Sequence, residues 1–244
     1  MSALKNLTSD ASIANEKDSV GGGGVLESGL YPATVTLAYV TKSAGGATGL
    51  VLHAKTSMGR DIRQTLWMTS GTAKGAKNYY EKDGQKSYLP GFIAANALAL
   101  LAAGKELSEL DTEIKVVNVY SYEAKAEVPT KVEVPVDLMG KEIIIGLIKQ
   151  TVDKTAKNET TGAYEATGET RDENEIDKFF RAADKMTTAE IRAAANEPAF
   201  YATWDSKFSG VVRMKAKTSG TAGAPKGAFG GGTAMKKPAT SLFA

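Results

Sequence analysis

Cysteine is absent from this chain of 244 residues, and histidine occurs once, at position 53. Without thiols there is no disulfide, thiolate zinc site, iron–sulfur cluster or cysteine nucleophile, so the fold must hold by packing alone. One histidine rules out enzyme classes built on histidine clusters and leaves a zinc or copper site to carboxylates. No cofactor is expected. No apolar run approaches the roughly 18 residues of a membrane span, and the amino terminus has no basic segment followed by a hydrophobic one. The expectation is a soluble intracellular protein with no membrane partner. With 42% hydrophobic and 24% charged residues, the chain has the composition of a globular protein.

A net charge of +2 conceals an uneven distribution. From residue 206 onward there are seven lysines and arginines and no acid, so the carboxyl terminus is a basic arm. Between Lys42 and Lys86 eight cations meet only Asp61, Glu81 and Asp83. Residues 106–205 hold 12 cations and 21 carboxylates. Such sorting suits a protein that presents one face to a polyanion.

Residues 1–24 are polar and end in four glycines, which reads as a flexible arm. Alternation over Tyr31, Ala33, Val35, Leu37 and Tyr39 predicts a half-buried strand with those five side chains on one face. Strands are also predicted over 48–57 and 62–68, giving a meander in which His53, Lys55, Arg63 and Trp67 share the polar face. Residues 70–88 are too polar and glycine-rich to be buried and form an exposed loop or hairpin. Pro90 and Gly104 bracket an Ala/Leu-rich helix that would plug one end of a barrel. Further strands are predicted over 114–122, 131–136 and 142–152, then a polar excursion over 154–170. Ile176, Phe179, Phe180 and Ala183 predict a helix over 172–184, and the capping box Thr187–Glu190 predicts another over 187–196. Residues 25–210 are thus expected to form the folded domain and 211–244 a disordered basic tail.

Catalytic patterns are weak. SGTAKGAKN has three residues between Gly71 and Gly75 where a phosphate loop needs four. Glu113, Lys115, Glu123 and Lys125 form Glu-x-Lys pairs like half of a metal-dependent nuclease motif, with no Pro-Asp partner in the preceding strand. What stands out is a group of cations and rings: Lys55, Arg63, Trp67, Lys74, Lys77, Tyr79, Tyr80, Lys82, Lys86 and Tyr88. Cations follow a phosphate backbone while rings stack on unpaired bases, which is how single strands are held without reading sequence.

The strings SGTAKGAKNYYEKDG, YLPGF, LLAAGKEL, GLIKQTVDK and TGETRDENEIDKFF resemble the single-stranded DNA-binding proteins of tailed bacteriophages, over about residues 28–210. The resemblance implies an oligonucleotide-binding (OB) barrel of five or six strands with a capping helix and a C-terminal helical extension. It also implies a role in phage DNA replication or recombination, no catalysis, and residence in the cytoplasm of the infected bacterial host. Expected partners are single-stranded DNA, phage replication or recombination proteins, and a second copy of the chain. The tail departs from the acidic tails common among such proteins: it is basic, with only Leu242 and Phe243 as an apolar tip. Two rival functions are a metal-dependent nuclease and a DNA-condensing virion or scaffold protein.

Overall fold

The computed structural model of the protein describes residues 24–121, 124–158, 160, 162 and 164–217. In chain order the elements are β1 (Gly29–Lys42), β2 (Thr48–Thr56), β3 (Asp61–Trp67), β4 (Tyr79–Lys82), β5 (Gln85–Tyr88) and α1 (Pro90–Ala103). These are followed by β6 (Thr112–Ser121), β7 (Ala126–Pro135), β8 (Glu142–Lys157), β9 (Tyr164–Arg181), α2 (Thr188–Arg192), α3 (Ala199–Phe208) and β10 (Val212–Met214). The protein is mainly β, with antiparallel sheets and few helices. The described residues divide into two compact units, 24–150 with 172–214 and 151–171 with 215–217. In the second unit the extended ends of β8 and β9 carry the ion pair Lys154–Glu169 at 2.8 Å, where the sequence predicted a polar excursion.

In the first unit β1 is the shared strand. Its first half, Gly29–Thr34, pairs with β8, and Ala33–Lys42 pairs with β2, which pairs in turn with β3. β9 and β10 both pair with β8, and among the described residues no ladder joins the two ends of this six-stranded sheet. A side chain of β3 reaches β9 instead, and β9 is also tied to the segment before β1. Ile176 N donates to Gln64 Oε1 at 2.7 Å, and Asn174 exchanges two hydrogen bonds with the backbone of Leu26 at 2.8 and 2.7 Å. Two small hairpins, β4–β5 and β6–β7, stand apart from the sheet's ladders.

Three apolar clusters show how the sheet is covered. The main core lies on the inner face, where Val35, Leu50, Leu52, Ala54, Ile62 and Leu66 meet Ala95, Leu98 and Ala99 of α1. Proline at the first helical position and Gly104 at the end fix the limits of α1. On the outer face α3 covers part of the sheet, with Trp204 against Ile144, Ile148 and Phe180. Elsewhere the β6–β7 hairpin covers Tyr39 and Val51 through Val134.

Three expectations are corrected here. The strand register slips between Val35 and Leu37, so Ala33 and Val35 enter the main core whereas Leu37 and Tyr39 join the cluster on the opposite face. A bulge of one residue exchanges the faces of everything beyond it. The helix predicted over 172–184 is instead the end of strand β9. Phe179 enters the main core and Phe180 packs under α3, so the strand is buried on both faces and its adjacent aromatics imitate helical spacing. Finally, Val212–Met214 belongs to the sheet as β10, although the disordered tail was expected from residue 211. Arg213 reaches Asp177 at 3.1 Å and Glu175 at 3.5 Å, which the charge count alone could not foretell. Residues 218–244 and the expected arm over 1–23 lie outside the described residues.

Candidate nucleic-acid interface

The β2–β3 ladder places the polar-face residues in register. Alternate rungs are Lys55–Asp61, His53–Arg63, Val51–Thr65 and Gly49–Trp67, so Lys55, Arg63 and Trp67 share one face as the alternation predicted, with Val51 midway along it buried against Val134 of the β6–β7 hairpin. From Asp61 to Trp67 the row runs about 20 Å along the strand. Gly49 is the residue the sequence reading missed. A Cβ there would lie 2.8 Å from Trp67 Cε3 and 2.9 Å from Thr65 Cγ2, so the indole rests on bare backbone. Trp67 is nonetheless 43% exposed. A flat ring supported from below and open above is a stacking platform. The signal was the glycine inside an otherwise β-branched and apolar strand, which marks a close approach.

Residues 70–88 fold as a hairpin after a single tight turn at Thr72–Lys74. Thr72 N donates to Gly45 O at 2.9 Å, tying this segment to the β1–β2 loop. Strand pairing divides the predicted residues between two faces. Tyr79 opposes Tyr88 and Glu81 opposes Lys86, while Tyr80 opposes Ser87 and Lys82 opposes Gln85. Successive residues point to opposite sides, so Tyr79, Lys86 and Tyr88 act together and Tyr80 and Lys82 act on the reverse. The Lys77 and Lys86 ammonium groups lie 5.6 and 5.1 Å from the centre of the Tyr79 ring. Tyr79 therefore orients two cations rather than offering a bare face. Tyr88 leans on Phe92 with ring centres 4.9 Å apart and remains exposed, as does Tyr80.

His53 sits beside this row, its ring 6.0 Å from that of Tyr39, whose hydroxyl accepts from Arg63 Nη2 at 3.4 Å. The buried His53 Nε2 has no hydrogen-bond partner among the described residues. Burial and the neighbouring Arg63 hold its pKa below the ordinary value, with Glu127 and Asp61 opposing. The imidazole is thus neutral in the folded protein near neutral pH, whereas the unfolded chain takes up that proton more readily. Stability should be fully present above the ordinary histidine pKa and decline as pH falls through the folded value. Thermal melts across that range should show this decline, and His53→Gln should flatten it. An unchanged pH profile in the variant would assign the effect elsewhere.

Several cations of the described chain are held by carboxylates. Lys105 pairs with Asp111 and Asp137, Lys149 with Glu27, Arg181 with Asp184, Arg192 with Glu106, and Arg213 with Glu175 and Asp177. None of the eight cations from Lys42 to Lys86 forms an ion pair with another described residue. Lys131, Lys141, Lys178, Lys185 and Lys207 likewise form no ion pair with a described residue, so the segment differs in having all eight of its cations in this state, with Arg60 donating to Gly24 O and Arg63 to the Tyr39 hydroxyl. Of the nuclease-like residues, Glu113 is engaged by Lys115 at 3.2 Å, and Glu123 lies outside the described residues. No group of three or more histidines and carboxylates suited to a metal occurs among the described residues. No family model and no curated protein matches the chain.

Proposed function

We propose that the protein binds single-stranded DNA with little sequence preference, along the exposed row from Lys55 of β2 through Arg63 to Trp67 of β3, beside the β6–β7 hairpin that covers Val51, and onto the β4–β5 hairpin, and performs no chemistry on it. One observation carries this reading: the segment whose eight cations lack carboxylate partners also carries an exposed indole laid on Gly49. Unpaired cations attract phosphate and the open ring accepts a base, a combination that duplex DNA, with its bases already stacked, cannot fully use. The architecture is read as OB-type, a partly open five- or six-stranded barrel. Support comes from β1 shared between two ladders, a bulge where it changes partner, and α1 entering between the meander and the later strands. With the resemblance described above, the role is protection of single strands during phage DNA replication or recombination in the infected cell, alongside phage replication proteins and further copies of itself.

Titration of Trp67 fluorescence with a single-stranded oligonucleotide, its duplex and its RNA counterpart tests the reading. Single-stranded DNA should bind more tightly than duplex. Each phosphate contact contributes about −0.7 to the log–log dependence on salt, so four to six contacts predict a slope of roughly −3 to −4. Equal affinity for duplex, or binding indifferent to salt, would count against it.

A further inference from the structure

Outside the β2–β3 row, the outer face of the sheet carries a groove of about 660 Å³ between the strands and α3. Pro32, Thr34 and Ile144 line it from the strands, and Ala182, Lys185 and Tyr201 from beyond β9. Lys55 also lines it, because Thr34 of β1 is the rung partner of Lys55. The end of the β2–β3 row is therefore the mouth of the groove.

The far wall is built to hold one cation in place. Lys185 lies in a tight turn at φ +65°, its amide donating to Arg181 O at 2.8 Å. The Asp184 carboxylate accepts from Met186 N and is engaged by Arg181, so it is not available to Lys185. Instead the Lys185 ammonium lies over the Tyr201 ring, 4.9 Å from its centre. Neither Lys55 nor Lys185 forms an ion pair with another described residue. Glu142 is the one carboxylate among the lining residues, against these two cations. Thr34, Ser57 and Tyr201 add hydroxyl groups along the walls.

We propose that the groove holds a second stretch of the same bound single strand, which turns at Lys55 from the β2–β3 row and runs between β1, β8 and α3 to a phosphate contact at Lys185. This rests on the single-strand reading of the row itself. Continuity through Lys55 is what selects a polynucleotide over an isolated small anion, because one cation would neutralise phosphate at the junction of both stretches. The walls are mixed, with Thr34, Ser57 and Tyr201 hydroxyls among apolar Pro32, Ile144 and Ala182, and a cation stands at each end, an arrangement that suits a chain of alternating phosphates and flat bases. Tyr201 acts by fixing the Lys185 ammonium, since that face of its ring is already occupied.

The test is a length series. Thymidine oligonucleotides, from ones short enough to occupy only the Trp67 row to ones several times longer, are titrated against the full-length protein, Lys185→Glu, Lys185→Ala and Trp67→Ala. Both Lys185 variants should melt like the parent, because the side chain is exposed and outside every ion pair among the described residues. Lys185→Glu should weaken the long oligonucleotide roughly tenfold at low salt, and Lys185→Ala should reduce its salt slope by about 0.7. Both should leave the short one within about twofold. Equal losses at both lengths, or none at either, would overturn the groove path while Trp67→Ala still reports on the row. Binding of thymidine monophosphate that depends on Lys185 but gains nothing with length would make the groove a separate nucleotide pocket and overturn it too. If the parent protein binds no oligonucleotide, the single-strand reading itself fails.

Discussion

Replacing Trp67 with alanine should cost about 1–3 kcal/mol in affinity for single-stranded DNA, the usual worth of one base stacked on an aromatic ring. That is a fall of roughly 5- to 150-fold. Folding should change little, because the indole rests on Gly49 and faces solvent, while the backbone of β3 stays held by its rungs to β2. The chain has two tryptophans. Trp204 is 1% exposed and donates through Nε1 to Asp177 at 2.8 Å, beyond reach of a base. Quenching by DNA should therefore come from Trp67 alone and vanish in Trp67→Ala. Quenching that persists in the variant, or affinity that does not move, would remove the platform from the interface.

The other tryptophan should give the opposite result. Trp204→Ala is expected to destabilise the protein by about 3–5 kcal/mol, the range for emptying a large buried aromatic site. Its indole too lies over a strand glycine: a Cβ at Gly146 would be 3.0 Å from Trp204 Cζ2. There the second face is covered, with Phe180 edge-on at 6.3 Å and Phe208 at 5.2 Å. Truncation would also leave Asp177 without its indole donor, though Arg213 stays. Urea melts should show the loss directly, while the folded fraction binds single strands within about twofold of the parent. A variant that keeps its stability but loses affinity would mean that the two rings have been assigned the wrong roles. One arrangement, a tryptophan laid on a strand glycine, is thus core packing where α3 covers it and, under the proposed function, a base-stacking site where the ring stays exposed.

Much of this was legible from residues alone, and the failures share a cause. The meander, the Pro90–Gly104 helix and the Thr187–Glu190 cap depend on local pattern, and each stands where the pattern put it. The shared face of Lys55, Arg63 and Trp67 was readable because β2 and β3 keep an unbroken alternation. In β1 one bulge residue transferred Tyr39 to the other face, and nothing in the alternation marks it. Residues 172–181 were misread as helix because burial on both faces removes the period that distinguishes a strand. α3 was overlooked although Phe200, Tyr201, Trp204 and Phe208 carry a helical spacing, since the short Glu197–Pro198 approach reads as a turn. The division of the tyrosine hairpin into two faces needed its register, fixed by the Asp83–Gly84 turn, whose two residues both adopt positive φ.

The seam between β3 and β9 gives the protein a guarded edge. A backbone ladder yields only as a zipper, but the bond made there by Gln64, and those of Asn174 to Leu26 ahead of β1, can break and reform one at a time. The contact between β3 and β9 can open without loss of register in the ladders, and the Ile176 amide should exchange faster than amides of the β1–β2 ladder. Open edges also invite foreign strands. A strand adding to this edge of β3 must first displace the Gln64–Ile176 bond, so the side chain that ties β3 to β9 also keeps neighbouring molecules from the edge.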